Sequence, residues 1–98
     1  SLAHTLAPHK ILVNSVSPGP VWTQSWENEA KSVSDKTGEN PREARERIKA
    51  QMAQMVPLKR MGAPEDVTGL VLFLASDRAS WITASDFTVD GGIRQDVF

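Results

Sequence analysis

The chain has 98 residues, of which 40% are hydrophobic, a length and composition that suit one small globular domain. Its net charge of −1 gives no electrostatic reason to expect a nucleic acid or an anionic membrane as partner, and no apolar run approaches the roughly 20 residues that span a bilayer. The absence of cysteine excludes disulfides and thiolate chemistry, and it fits a reducing compartment such as the cytoplasm.

The first seven residues have the apolar spacing of one helical face, and Pro8 follows them. We predict the end of a helix over 1–7. Because Ser1 is not an initiator Met and no signal-peptide pattern follows it, we expect the chain to be the inside of a longer gene product. Residues 11–17 are β-branched and apolar at nearly consecutive positions, which predicts a parallel strand covered on both faces and ended by Pro18-Gly19-Pro20.

The segment from Trp22 to Asn40 shows no sustained hydrophobic period, which predicts a mobile surface segment with room for one short helix. Asn40 and Pro41 then form a helix start, with the cap followed by proline at the first position, and Pro57 ends that helix. Its polar side is expected to be a solvated face with two ion pairs, Arg42 with Glu46 and Glu43 with Arg47. Its apolar stripe consists of Ala44, Ile48, Met52 and Met55.

A further helix is predicted over 64–76, because Pro64 takes the first position and two carboxylates follow at the positive helix end. This helix is apolar nearly all round, so we expect it to be buried in a core and in a subunit interface. A short strand over 86–90 leads into the Asp90-Gly91-Gly92 turn.

The order of strand, helices and strand describes a βαβ unit and an α/β fold. Two parallel strands do not form a stable open sheet alone. The strand 11–17 is therefore expected to pair with sequence missing from this chain or with a symmetry-related copy.

Three stretches of the chain resemble the short-chain dehydrogenase/reductase family. The first runs over 6–23 and contains Leu6-Ala7-Pro8, Val13-Asn14 and Pro18-Gly19; the second runs over 57–77 and contains Pro64-Glu65-Asp66-Val67. The third runs from Trp81-Ile82-Thr83 to Asp90-Gly91-Gly92. They occur in the order and with the spacing of that family, which implies the C-terminal part of a single Rossmann-type domain with a doubly wound parallel sheet.

The resemblance implies an oxidoreductase that uses NAD or NADP and forms a homodimer or homotetramer. It also implies that no catalytic residue lies in this chain, since the family's Tyr-x-x-x-Lys belongs earlier on the helix that ends at Ala7, and the chain has no tyrosine. That phenol acts as acid and base toward the alcohol or carbonyl. The chain alone is therefore expected to be inactive.

The resemblance assigns site residues at the end of the predicted strand, where ligands of open α/β sheets bind. The expected cofactor-binding residues are Pro18, Gly19, Val21 and Thr23. Gly19 would let the backbone approach the nicotinamide closely, Val21 would offer its main-chain N–H and C=O to the carboxamide, and Thr23 would offer its hydroxyl. The region 22–57 corresponds to the substrate loop, and the expected substrate contacts are Pro20, Trp22 and Trp26.

The chain also departs from the family pattern at three positions. Lys10 stands in place of a glycine and is expected to take a left-handed conformation, Leu12 replaces a common Arg, and Ala84 replaces a glycine and is expected to carry strain. Asn14 is expected to bind backbone near the strand. No metal site is expected, since His4 and His9 lack a third ligand.

Plainer interpretations exist for several of these residues. Pro18-Gly19-Pro20 taken alone is a strand stop, Thr23 alone is a turn hydroxyl, and Trp26 alone covers the edge of a core. Two functions follow from the whole pattern. The first is part of an NAD(P)-dependent oxidoreductase acting on an alcohol or carbonyl. The second is a truncated, non-catalytic relative that serves as an oligomerisation module through residues 67–74.

Overall fold

The computed structural model describes residues 1–94 and contains four α-helices and two strands. These are α1 (Leu2–Leu6), β1 (Ser15–Pro18), α2 (Gln24–Thr37), α3 (Pro41–Gln54), α4 (Pro64–Leu74) and β2 (Asp86–Val89), with 3₁₀ turns at Ala7–His9 and Asp77–Ala79. The chain divides into two compact units. The first unit comprises Ser1–Pro18 and Glu65–Val89, and the second comprises Gly19–Pro64 and the described residues 90–94.

The first unit is built on a parallel pair of strands, as the sequence predicts. β1 and β2 pair in register from Ser15 opposite Asp86 to Pro18 opposite Val89. The hydroxyls of Ser15 and Ser17 both donate to one carboxylate oxygen of Asp86, at 2.6 and 3.0 Å. The order of strand, helices and parallel strand is that of an α/β chain.

The first strand is shorter than predicted, since it begins at Ser15 rather than at residue 11. The cause lies in the neighbouring segment, which turns at Ala84 with φ 59° and therefore cannot continue a regular ladder. The Asn14 side chain replaces the regular ladder bonds here. Its Nδ2 donates to Ile82 O at 3.1 Å, and Ser85 N donates to its Oδ1 at 3.2 Å. The expected roles of Asn14 and Ala84 are thereby confirmed.

The chain leaves α1 through a left-handed residue. α1 ends at Leu6, the 3₁₀ turn Ala7–His9 follows, and Lys10 takes φ 61° and donates its N–H to Ala7 O at 2.9 Å. The left-handed conformation expected at Lys10 is confirmed.

α4 begins at Pro64 as predicted but ends at Leu74 and contains no buried residue. Leu72 is 66% exposed, Val71 47% and Phe73 38%. The expected burial is therefore not found among residues 1–94, since a sheet of two strands, about 5 Å apart, is too narrow to cover the helix. Its place in a subunit interface remains a prediction.

The single short helix predicted before Asn40 is longer than expected, because α2 is a regular helix of 14 residues. It packs on α3 through small residues, with Ala30 and Ser34 buried on α2 and Ala44 buried on α3. Small side chains let two helices approach closely. They do not produce a strong hydrophobic period in the sequence, so the length of α2 could not be predicted from that period. Gly38 then ends α2 with φ 76°.

α3 starts as predicted, with Asn40 Oδ1 accepting from Arg42 N at 2.9 Å and proline at the first position. The two ion pairs predicted along α3 are wrong for the described residues, because Glu46 lies 3.7 Å from Arg45 rather than pairing with Arg42, and Arg47 pairs with Glu39 before the helix rather than with Glu43. Arg47 pairs with Glu39 at 3.0 Å, and Arg45 lies 3.6 Å from Glu27. The hydrogen bond from Arg47 lowers the pKa of the Glu39 carboxyl below its ordinary value.

The second unit closes over Val56, which is 2% exposed. Gly91, with φ 64°, lies directly against it: a Cβ built on Gly91 would sit 2.5 Å from Val56 Cγ1. The N–H of Leu58 donates to Gly91 O at 3.1 Å and fixes the turn against the end of α3. The Asp90-Gly91-Gly92 turn is thus part of this unit's core packing.

Candidate functional site

The segment between β1 and α2 is held in an extended form by Gly62. The N–H of Gly62 donates to Pro20 O at 2.8 Å, and the N–H of Trp22 donates to Gly62 O at 2.9 Å. These two bonds form a parallel bridge centred on Val21. The predicted site residues Pro20, Val21 and Trp22 therefore have a fixed backbone.

Val21 carries the open main-chain groups of this bridge. Successive residues of an extended chain direct their N–H and C=O groups to opposite sides, so those of Val21 point away from Gly62. No residue among 1–94 pairs with either group. An adjacent donor and acceptor of this kind match a primary carboxamide, which offers one C=O and one NH₂.

Thr23 precedes α2 in an extended conformation, with φ −120° and ψ 179°. Its carbonyl accepts from Glu27 N at 3.1 Å, but its hydroxyl makes no capping hydrogen bond. A threonine at this position usually caps with its side chain. The Thr23 hydroxyl is therefore exposed at the positive end of α2 and available to a ligand.

Gly19 has a packing reason to be glycine. A Cβ at Gly19 would lie 2.8 Å from Asp90 Cα, closer than real Cβ atoms approach. The carboxylate of Asp90 fixes that turn by accepting from Gly92 N at 2.8 Å and Arg94 N at 3.2 Å. Close approach to a cofactor stays a prediction for Gly19, and Pro18 lies at the carboxyl end of β1 opposite Val89.

Trp22 and Trp26 come together as an aromatic wall. Their ring centroids are 5.7 Å apart with an interplanar angle of 25°. Trp22 Nε1 donates to Glu27 Oε1 at 2.6 Å, which fixes the orientation of the indole. Two of the three residues expected to contact substrate, Trp22 and Trp26, thus form one surface.

The sequence analysis did not predict that Lys49 belongs to this site. Its ammonium lies 4.9 Å from the centroid of a Trp22 ring, beside a cavity of about 440 Å³. The charged residues of α3 predict a solvated face, and that interpretation is wrong for Lys49, which is only partly exposed. Ala53, one turn after Lys49 on the same helix face, was the available signal that this face is not wholly polar.

Within residues 1–94, no group of three His, Asp or Glu side chains could hold a metal ion. No helix in that part of the chain is long and apolar enough to cross a membrane.

The parallel strand pair and the helices between its strands define an α/β chain of the Rossmann type. The family model described as enoyl-(acyl carrier protein) reductase matches residues 1–94. The chain belongs to the short-chain dehydrogenase/reductase family.

Two curated relatives illustrate the similarity. The chain is 43% identical over 91 residues to an uncharacterized oxidoreductase of Mycobacterium tuberculosis, covering 93% of this chain and 31% of that protein. It is 38% identical over 87 residues to the NADPH-dependent reductase BacG of Bacillus subtilis, covering 89% and 32%. The chain therefore spans about a third of the length of the curated relatives that it matches.

Solved structures show the same relation. L-sorbose reductase from Gluconobacter frateurii, complexed with NADPH and L-sorbose, superimposes with a TM-score of 0.84 at 29% identity. The match covers 98% of this chain and 35% of that chain. Aldohexose dehydrogenase of Thermoplasma acidophilum gives a TM-score of 0.78 at 30% identity over 99% of this chain and 37% of that one.

Proposed function

We propose that this chain forms the nicotinamide-binding and substrate-facing part of an NAD(P)-dependent oxidoreductase that acts on an alcohol or carbonyl. The open N–H and C=O of Val21 carry the proposal. A main-chain donor and acceptor side by side, on a backbone fixed by Gly62, suit the carboxamide of a nicotinamide. The names of two relatives support it, since BacG is an NADPH-dependent reductase and the sorbose reductase was solved with NADPH.

When bound, the nicotinamide supplies or accepts the hydride. The residues of this chain orient the nicotinamide and enclose the substrate. Val21 holds the carboxamide and so selects the ring face that reacts. Thr23 offers its hydroxyl to the carboxamide or the pyrophosphate. Pro18 and Gly19 bring the backbone to the ring, while Pro20, Trp22 and Trp26 form a wall for the substrate. The proton transfer requires a phenol and a lysine from outside this chain, which contains no tyrosine.

Cofactor affinity in the protein expressed from the complete gene tests the proposal. Val21→Pro removes the N–H donor but keeps the carbonyl, and Thr23→Ala removes the hydroxyl. Each should raise the Kd for NADH and NADPH by about five- to tenfold, as expected for one lost hydrogen bond. The matched control is Thr37→Ala at the other end of α2, where the hydroxyl donates to Val33 O.

Unchanged cofactor affinity in both Val21→Pro and Thr23→Ala would contradict the assignment. A weakening in Thr37→Ala of the same size would also contradict it, because the effect would then belong to the stability of α2.

The second candidate is an assembly module, and the exposed apolar side chains of α4 favour it. Leu72, Val71 and Phe73 are accessible within this chain, and apolar surface of this kind marks protein contacts. We propose a homodimer or homotetramer that covers α4, and pairing of the free edge of β1 with further sequence or with a symmetry-related copy. Leu72→Glu should dissociate the assembly in sedimentation velocity, whereas an oligomer that persists unchanged would exclude α4 from the interface.

A further inference from the structure

A cavity in the second unit remains to be assigned a ligand. It measures about 440 Å³ and lies between one side of α3 and the segment from Lys59 to Pro64. Its apolar part includes Ala53 and Met61, of which Met61 is largely buried. The size lies in the range of sites for small molecules, which combine apolar walls with a few placed polar groups.

The lining of this cavity carries excess positive charge. Lys49, Lys59 and Arg60 line it together with one carboxylate, Glu46, which lies 3.7 Å from Arg45. Lys59 Nζ donates to Gln54 O at 3.2 Å. Lys49 differs from these residues, because no carboxylate among residues 1–94 lies within ion-pair distance of it.

The surroundings of Lys49 hold its ammonium beside the cavity. Its Nζ lies 4.9 Å from the centroid of a Trp22 ring, an attraction that fixes the side chain while leaving its charge unneutralised. Trp22 is itself fixed by the hydrogen bond to Glu27 and by the backbone bond to Gly62. An ammonium has three N–H donors, and an aromatic face engages only one side of it.

We propose that this cavity binds the negatively charged end of the substrate, a carboxylate or a phosphate, with Lys49 as its counter-ion. The inference rests on the proposed function and names the substrate class of the same site. Trp22 directly follows Val21, so the Cα atoms of the cavity wall and of the nicotinamide contact are about 3.8 Å apart. A substrate bound here has its apolar body along Ala53 and Met61 and its anionic group at Lys49.

The test compares charged and neutral forms of the same ketone on the protein from the complete gene. The carboxylate arm uses 4-oxopentanoate against its methyl ester. The phosphate arm uses acetoacetyl-coenzyme A against the neutral N-acetylcysteamine thioester of the same acyl group. The readouts are kcat/KM for nicotinamide oxidation and, independently of turnover, Kd by calorimetry.

The charged probe of one arm should be preferred, and Lys49→Met should lower that preference roughly ten- to hundredfold, as expected for a charge-assisted hydrogen bond. Lys49→Arg should retain most of it. The matched control is Lys36→Met, which removes one positive charge from the exposed end of α2, outside the cavity. The arm that responds identifies whether the anion is a carboxylate or a phosphate.

The two proposals fail in different ways. Equal preference in the unaltered protein and in Lys49→Met, with turnover intact, would overturn the anion site and leave the oxidoreductase standing. Absence of turnover with all four probes, together with calorimetric binding that depends on Lys49, would keep the anion site and count against the oxidoreductase. Lys49→Met could instead raise the Kd for the cofactor and leave the substrate preference unchanged. That result would overturn the proposal, because the Lys49 ammonium would then bind the cofactor.

Discussion

The two units of the chain are stabilised by different means. The second unit buries side chains of its own, among them Ala30, Ala44 and Val56, where α2 packs on α3 and the Gly91 turn covers the end of α3. In the first unit only Ala3 and Ala79 are buried, while Trp81 is 97% exposed. Its order comes mainly from backbone and side-chain hydrogen bonds around Asn14 and Asp86.

The two proposed roles, binding and assembly, fall mainly on different units. The residues proposed to hold the nicotinamide carboxamide and the substrate, from Val21 to Lys49, belong to the unit that supplies its own core. The exposed apolar residues of α4 belong to the unit that lacks one. A unit with few buried side chains gains most from a neighbour, because burial of apolar surface is the main favourable term in folding and association.

The largest expected effect concerns the turn that closes the second unit. Gly91→Ala combines a left-handed φ of 64° with a Cβ 2.5 Å from Val56 Cγ1, so it should lower the free energy of unfolding by about 3 kcal/mol. Urea-induced unfolding measures it. Gly38→Ala is the matched control, since its φ is 76° but nothing lies within 4 Å, and it should cost only about 1 kcal/mol. An equal loss of unfolding free energy in Gly91→Ala and Gly38→Ala would show that the contact with Val56 adds nothing to the cost at Gly91.

The second prediction compares the same substitution in each unit. Val56→Ala should cost about 2 kcal/mol, because it removes buried methyl groups, whereas Val71→Ala on the exposed face of α4 should change the stability of a protein whose α4 has no neighbour by less than about 0.5 kcal/mol. Thermal unfolding at fixed protein concentration measures both. If Val71→Ala proves as costly as Val56→Ala, α4 is covered in the assembled protein and the contrast between the units disappears on assembly.

The third prediction addresses the hydrogen bonds of the first unit. Asn14→Ala leaves Ile82 O and Ser85 N without their partner and should cost about 1–2 kcal/mol. Hydrogen exchange should show the Ser85 amide losing protection. Asn28→Ala, which removes an exposed bond from Gln24, should have almost no effect. Unchanged protection at Ser85 would mean that the strand pair alone holds this turn.

The smallest expected effect is a pH dependence in the second unit. The hydrogen bond from Arg47 holds the pKa of Glu39 below its ordinary value near 4.5. A carboxyl with a lowered folded-state pKa stabilises fully above its unfolded value, and that contribution is lost as the pH falls through the folded-state pKa. Glu39→Gln should therefore reduce the loss of Tm below about pH 4.5, and the exposed Glu29→Gln should not. The same dependence of Tm on pH in Glu39→Gln and Glu29→Gln would contradict this prediction.

The sequence predicted features that one or two residues determine. Asn40 with Pro41 starts α3, and Pro64 starts α4. The left-handed conformations of Lys10 and Ala84 lie at positions where the family resemblance implies glycine. Such features depend on local backbone sterics and on capping, which a short stretch of sequence records.

Features that depend on distant partners were not predictable in the same way. α2 is stable because Ala30 and Ser34 fit against α3, and small residues leave no clear period. Arg47 forms its ion pair with Glu39, between α2 and α3, rather than with Glu43 on its own helix. The Trp22 wall was expected from the family resemblance, but Lys49 was not, because only the fold brings residue 49 to residue 22.

The bridge between Pro20, Trp22 and Gly62 also has a consequence for protein engineering. The two hydrogen bonds close the chain on itself, so that residues 23–61, with both long helices, form an insertion whose ends are adjacent. Closing a long insertion costs little more than closing a short one. We therefore propose residues 23–61 as a unit of exchange between relatives, with Val56 and Leu58 kept unchanged because they contact the Gly91 turn outside it.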